Sequence, residues 1–184
     1  DVCSSDLAGG IGSTCIQLGK AFGARVIATD SPDSRCQLCR DLGADRVIDY
    51  KTEDFVETVR TMGGANVILD IVGGANIEKN IKAASPDARI IQLAFAAGSK
   101  VEINLMPVML KRLVYTGSTL RTRPVAYKTR VARELEAQVW PLIEAGKIRV
   151  VTGRTFPLAQ AAAAHAMMES AGHTGKILLT VAGT

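Results

Sequence analysis

The chain has 184 residues, 47% of them hydrophobic and 22% charged, with a net charge of +4 and a pI near 9.0. That composition suits a water-soluble fold with one good core; no apolar run approaches the roughly 20 residues that span a bilayer, and the first residues do not read as a signal peptide. Basic residues gather only at Lys111-Arg112 and from Arg121 to Arg133, and aromatics are 4% of the chain, so a phosphate-bearing small ligand accounts for the charge where nucleic acid would want a stacking platform.

The chain opens on DVCSSDLAGGIG. Its glycine turn, Gly9-Gly10-Ile11-Gly12, runs into a helix with Ile11, Cys15, Leu18 and Phe22 on one face and Gly23 as its stop. A buried strand ordinarily feeds such a turn, and Asp1 to Leu7 is too polar for that place. Arg25 to Thr29 reads as a short strand. Ser31-Pro32-Asp33 reads as N-cap, proline at N1 and acidic first turn of a helix to Leu42, ended by Gly43. Arg46 to Asp49 is the next strand, and Thr52 is placed to cap a helix from Glu53 to Met62. Val67 to Val72 is apolar on both faces, as central parallel strands are. A helix over about 75–84 follows Gly73-Gly74, Ser85-Pro86-Asp87 is a turn, and Arg89–Leu93 and Leu113–Ser118 are strands. Then come a long helix over about 125–144, with Pro141 kinking its last turn, an alanine-rich helix over 155–170, and a strand from Lys176 to Val181. The alternation predicts a doubly wound parallel sheet.

Cysteines stand at 3, 15, 36 and 39. Cys36 and Cys39 have C-x-x-C spacing, but no second pair follows and both fall inside a predicted helix. They read as buried thiols in a reduced, cytoplasmic protein, not as a zinc or redox site.

A glycine turn at a helix start offers unpaired amides and the positive end of the helix dipole, and lets a pyrophosphate approach closely. Asp30 follows Gly12 by 18 positions, near the spacing at which a carboxylate takes a ribose hydroxyl. Together these point to dinucleotide binding. The coenzyme stays open at this level. Asp30 favours NAD and repels a 2′-phosphate, whereas Arg35 could grip that phosphate and Ser31 could add a hydroxyl.

GGIGSTCIQLGKAFGARVIAT, LGADRVIDYKTEDF, VILDIVGGANIEKNI, INLMPVMLKRLVYTGSTLR and HTGKILLTV, in this order and spacing, resemble the zinc-independent quinone oxidoreductase branch of the medium-chain dehydrogenase/reductase family, from about residue 8 to 181. The resemblance implies a Rossmann unit over 8–150 and, over 151–184, a helix–strand segment that would complete a GroES-like domain missing here. It implies that Gly9 to Gly12 hold the pyrophosphate and that Ser31, Arg35 and Tyr50 surround a 2′-phosphate. Val72 and Gly73 would lie at the adenosine half, Phe95 and Ser118-Thr119-Leu120 would border the nicotinamide, and Lys176 would approach from the C-terminal segment. The implied reaction is hydride transfer from NADPH to a quinone or activated alkene, without a metal and in a homodimer; NADH competes because Asp30 departs from the small neutral residue of NADPH users. No catalytic acid or base is implied. His165 is expected to pack toward the missing domain, and His173 to lie in a solvent-exposed loop. Residues 1–7 read as the translation of a sequencing-library adaptor joined to a truncated gene, and are expected to be non-native. The rivals are an NADH-dependent zinc-free alcohol dehydrogenase or enoyl reductase, a SAM-dependent methyltransferase, which shares a glycine turn and a following acid, and a non-catalytic binding protein.

Overall fold

Short β-branched runs, separated by amphipathic segments with glycine stops, alternate as strand and helix. The computed structural model describes residues 2–5, 9–170 and 174–181. Its main sheet is parallel and six-stranded, in the order β3-β2-β1-β4-β5-β6. The strands are β1 (Val2–Ser5), β2 (Val26–Asp30), β3 (Arg46–Asp49), β4 (Ala65–Asp70), β5 (Ala84–Gln92) and β6 (Val114–Gly117). Helices α1 (Gly10–Ala21), α2 (Asp33–Asp41), α3 (Phe55–Thr61) and α4 (Asn76–Ala83) join the first five strands, and α5 (Met106–Leu110) precedes β6. Strand order reverses between β1 and β4, which opens a crevice at their carboxyl ends. This is the Rossmann arrangement the alternation predicts.

Alternate residues of β2 and β3 enter two different cores. Ile27, Ile48, Ile68 and Ile90 pack with Val59 of α3 and Ile81 of α4. Val26, Ala28 and Val47 pack with Ile16 of α1 and with Cys36 and Cys39 of α2. Both cysteines are fully buried, as the sequence suggests. Gly19 lets α1 lie close on the sheet, since a Cβ there would stand 2.8 Å from Val26 Cγ2.

The strand disfavoured by composition is present. Residues 2–5 pair with β2 from Val2↔Val26 to Ser5↔Thr29, and with β4 from Val2↔Val67 to Ser4↔Leu69. A parallel ladder is made by backbone groups, which any non-proline residue supplies. Asp6, Leu7 and Ala8 lie outside the described residues.

Several boundaries correct the sequence reading. Helix α2 takes Pro32, not Ser31, as its N-cap. Asp54, not Thr52, caps α3, its carboxylate accepting from Val56 N and Glu57 N, while the Thr52 hydroxyl instead donates to Asp49 O at 3.4 Å. The turn read at Ser85-Pro86-Asp87 sits inside β5 as a register break between Ala65↔Ala84 and Val67↔Arg89, with Asp87 at φ 61°. The long helix over 125–144 is two helices, α6 (Val125–Gln138) and α7 (Trp140–Glu144), parted where Pro141 cannot donate to the preceding turn. The helix over 155–170 begins only at Ala161. Thr152–Pro157 is a strand, β7, which pairs in parallel with β8 (Lys176–Thr180) across α8 (Ala161–Glu169). His165 is exposed on α8, and His173 lies outside the described residues.

Candidate functional site

Glycine gathers function at the crevice. Gly9 is the extended N-cap of α1, with Gly10, Ile11 and buried Gly12 as its first turn. Among the described residues no side chain caps this helix start, and no acidic residue lies in its first turn. Its amides and the positive end of its dipole therefore suit an anion. A cation stands beside them: a Cβ at Gly10 would lie 2.5 Å from Lys176 Nζ. Gly10, Thr14 and Lys176 border a cavity of about 180 Å³, closed on its other side by Val139 and Ile143.

At the carboxyl end of β2 the two residues that argue for opposite coenzymes are joined. Asp30 is fully buried. Its Oδ1 accepts from Arg35 Nε at 2.6 Å and from Ser31 N at 2.7 Å, and Oδ2 accepts from Arg35 Nη2 at 3.4 Å. The Arg35 side chain is 15% exposed. Among the described residues, Ser31 Oγ is buried without a hydrogen-bond partner, the kind of hydroxyl that a bound phosphate or ribose would satisfy.

A larger cavity, about 880 Å³, opens beside this strand end between the loop after β3 and α4. Thr29, Tyr50, Val72, Asn76, Lys79 and Ala97 line it. Buried Asp70 at the end of β4 holds the turn that carries Val72: Oδ1 accepts from Val72 N at 2.7 Å and Gly73 N at 2.9 Å, and Oδ2 from Asn80 Nδ2 at 3.0 Å. Gly73 has φ 68°, and a Cβ there would stand 2.7 Å from Phe95 Cδ1 and 2.9 Å from Gly98 O. The loop after β5 is laced to this turn by Ala97 N to Val72 O at 2.7 Å and Gly74 N to Gly98 O at 2.8 Å. Val72, Gly73 and Phe95 are thus brought together. Ser118, Thr119 and Leu120 follow β6, exposed, with Ser118 N donating to Gln92 O at 3.0 Å. Gln92 is buried; its Nε2 donates to Asp70 O at 3.2 Å, and its Oε1 accepts from the Tyr115 hydroxyl at 2.6 Å. Burial pushes the Tyr115 phenol up, and Asp70 adds to the shift.

Thr29, Asp70, Asn80 and Gln92 escaped the sequence reading. Asp70 carried a usable signal, a carboxylate ending an apolar strand two residues before Val72 and three before Gly73, the spacing of an Asx turn. Among the described residues, no three His, Cys, Asp or Glu side chains converge as a metal would require. Nor is any described helix long and apolar enough to cross a membrane.

The profile of the zinc-binding dehydrogenase family matches residues 42–179. A mycocerosic acid synthase-like polyketide synthase of Mycobacterium tuberculosis is 32% identical over 177 residues, which are 94% of this chain and 8% of that protein. A 2-haloacrylate reductase of a Burkholderia species is 30% identical, over 94% of this chain and 53% of its own. The fold matches a crystal structure described as an NAD-dependent alcohol dehydrogenase with TM-score 0.83 and 31% identity, over 98% of this chain and 51% of that one. It matches the quinone oxidoreductase of Thermus thermophilus, solved also with NADPH, with TM-score 0.83 and 26% identity, over 96% and 56%. The chain therefore spans about half of the reductases it matches and a small part of the synthase.

Proposed function

This chain belongs to the zinc-binding dehydrogenase family, the medium-chain dehydrogenases/reductases, and from that premise we propose that it is the coenzyme-binding half of a reductase that passes hydride from NADPH to a quinone or an activated alkene. The observation that carries the reading is the uncapped start of α1 with Lys176 Nζ beside Gly10. Amides of Gly10 to Gly12 and the Lys176 ammonium would take the diphosphate. Tyr50 and Val72 would hold the adenosine in the larger cavity, with Gly73 giving the close approach. Phe95 and Ser118 to Leu120 would border the nicotinamide and exclude water from it. When bound, the dihydronicotinamide supplies the hydride; the chain's own residues hold and orient.

NADPH over NADH rests on Asp30. Its carboxylate is buried and spent on Ser31 N and Arg35, so it does not offer itself to a ribose diol. Arg35, held in place by Asp30, and the Ser31 hydroxyl would contact a 2′-phosphate. The buried negative charge offsets part of the guanidinium's attraction, which keeps the preference to about tenfold or less. The same charge is what favours NADH as the second reading. Acceptors of the quinone or activated-alkene class are supported by the names of the relatives, among them a haloacrylate reductase. A homodimer would form along the edge strand β6, exposed at all four positions.

Titrating the 184-residue chain with NADPH, NADH and S-adenosylmethionine by calorimetry tests the reading. NADPH binds tightest, and Arg35→Ala abolishes its advantage over NADH. Failure of both nicotinamide nucleotides to bind, or tighter binding of S-adenosylmethionine, overturns the function; an NADH preference that survives Arg35→Ala overturns the choice of coenzyme alone.

A further inference from the structure

Gln17 lies in the middle of α1 and is 6% exposed. Its Nε2 donates to Arg149 O at 3.1 Å, and its Oε1 accepts from Arg149 N at 2.8 Å. The same Nε2 donates to Ser13 O at 3.1 Å. One side-chain amide thus pairs with both backbone groups of a residue 132 positions away, as a neighbouring strand would. Two residues further on, Val151 O accepts from Lys176 N at 2.7 Å. Glycines permit the crossing: a Cβ at Gly175 would collide with Val151 O, and one at Gly153 with Thr174 O. Lys176 then ends with its Nζ against Gly10. The path closes a ring, from the body of α1 through Arg149, Val151 and Lys176 back to the start of α1.

We infer that Gln17 is a positioning residue: by docking the returning chain at Arg149, it sets the Lys176 ammonium against the glycine turn where the coenzyme diphosphate lands. This rests on the proposed reading of that turn. A lysine on its flexible four-carbon stem samples many rotamers, and it serves an anion best when its backbone is fixed. Gln17 suits the task because it has a donor and an acceptor, matching the two backbone groups it must satisfy. An apolar side chain of equal length would leave Arg149 N–H and C=O unpaired in a half-buried place.

The experiment is a double-mutant cycle on the 184-residue chain, with Gln17→Met, Lys176→Met and the double variant titrated with NADPH at several salt concentrations. Gln17→Met keeps the volume, and Gln17→Asn, which retains both amide functions on a shorter stem, is measured beside it. Gln17→Met is expected to weaken NADPH about tenfold and to flatten the salt dependence as Lys176→Met does. The double variant should bind no more weakly than Lys176→Met alone, and Gln17→Asn should recover part of the loss. Binding of 2′-AMP, which fills the adenosine side without a diphosphate, should stay within twofold in every variant. Additive losses, NADPH binding by Gln17→Met within twofold of the parent, or an equal loss of 2′-AMP binding would each overturn the inference. A parent chain that binds neither NADPH nor NADH would instead overturn the function on which it rests.

Discussion

The six-stranded unit and the β7–α8–β8 segment are both βαβ constructions, yet they are held by different forces. In the first, β2 is buried at all five positions, and Ile68 and Ile90 are at most 1% exposed. In the second, β7 has no buried position, Leu178 and Leu179 are 43% and 42% exposed, and Ala164 is the buried residue of α8. The reason is layering. Helices lie on both faces of the large sheet, so an inner strand such as β2 buries two rows of side chains, whereas a single helix accompanies the two-stranded sheet. The first region is stabilised by apolar burial. The second meets it at few points, among them the Lys176 ammonium beside Gly10. The candidate site draws on both, with its glycine turn on the rigid part and its lysine on the loosely packed one, where local opening costs least.

The largest test of this contrast is a pair of truncations. Ile68→Ala removes a side chain packed from both flanks and should cost about 2–5 kcal/mol. Leu178→Ala removes an equally apolar group from an open face and should stay within about 0.5 kcal/mol. Urea unfolding of the two variants checks it. Comparable losses would mean that the segment is as well packed as the sheet.

A second comparison separates backbone strain from the crowded turn of the site. Gly73 and Gly146 have nearly equal angles, φ 68° and 69°, but a Cβ at Gly146 meets nothing within 4 Å while one at Gly73 meets Phe95 and Gly98. Gly146→Ala should cost only the left-handed penalty, about 1 kcal/mol. Gly73→Ala should cost more, and should also weaken NADPH binding, because Phe95 must move. Equal effects of the two substitutions on stability and on binding would remove the turn from the site.

The same two regions differ in how far their sequence can be read. The apolar run from Val67 announces a strand, although β4 is Ala65–Asp70 and leaves Ile71 and Val72 in the turn after it, and the Gly9 to Gly12 turn and the stops at Gly23 and Gly43 announce themselves as well. Thr152–Pro157 does not. TGRTFP is polar and carries a glycine and a proline, and it becomes a strand only because β8 supplies its partner. In the site, spacing placed Asp30 and Arg35 near the adenosine ribose but as opponents. That they form an ion pair depends on how Ser31 and Pro32 turn the chain into α2, which spacing does not encode. Gln17 carries no signal in the sequence, since its partner lies 132 residues on.

A smaller effect is expected at the start of α3, inside the well-packed region. Asp54 accepts from Val56 N at 2.8 Å and Glu57 N at 3.2 Å. Asp54→Ala should cost about 1 kcal/mol and lower Tm by about 2–4 °C, whereas Thr52→Ala, at the position the sequence suggests for the cap, should leave Tm nearly unchanged. A larger loss at Thr52 would reassign the cap.

The smallest effect lies on the rim of the large sheet, where a point contact of the kind that serves the C-terminal segment appears on the rigid unit. Asp87 Oδ1 and Oδ2 accept from Arg112 Nε at 2.7 Å and Nη2 at 2.6 Å, and both residues have left-handed backbones, φ 61° and 53°. The Arg112 guanidinium holds the Asp87 carboxyl below the usual carboxylate range. Its folded pKa therefore lies below its unfolded one, so the pair contributes stability above the unfolded value, near pH 4, and loses that contribution as pH falls through the folded value. Asp87→Asn keeps a side chain that tolerates the left-handed region and removes only the charge. Tm plotted against pH should then fall less steeply below about pH 4 in the variant than in the parent, and the difference should shrink in high salt, as it does for an exposed pair. If the parent and Asp87→Asn curves instead run parallel from neutral pH into acid, the two left-handed turns are held together by Asp87 N donating to Lys111 O at 2.7 Å, and the rim of the rigid unit owes nothing to charge.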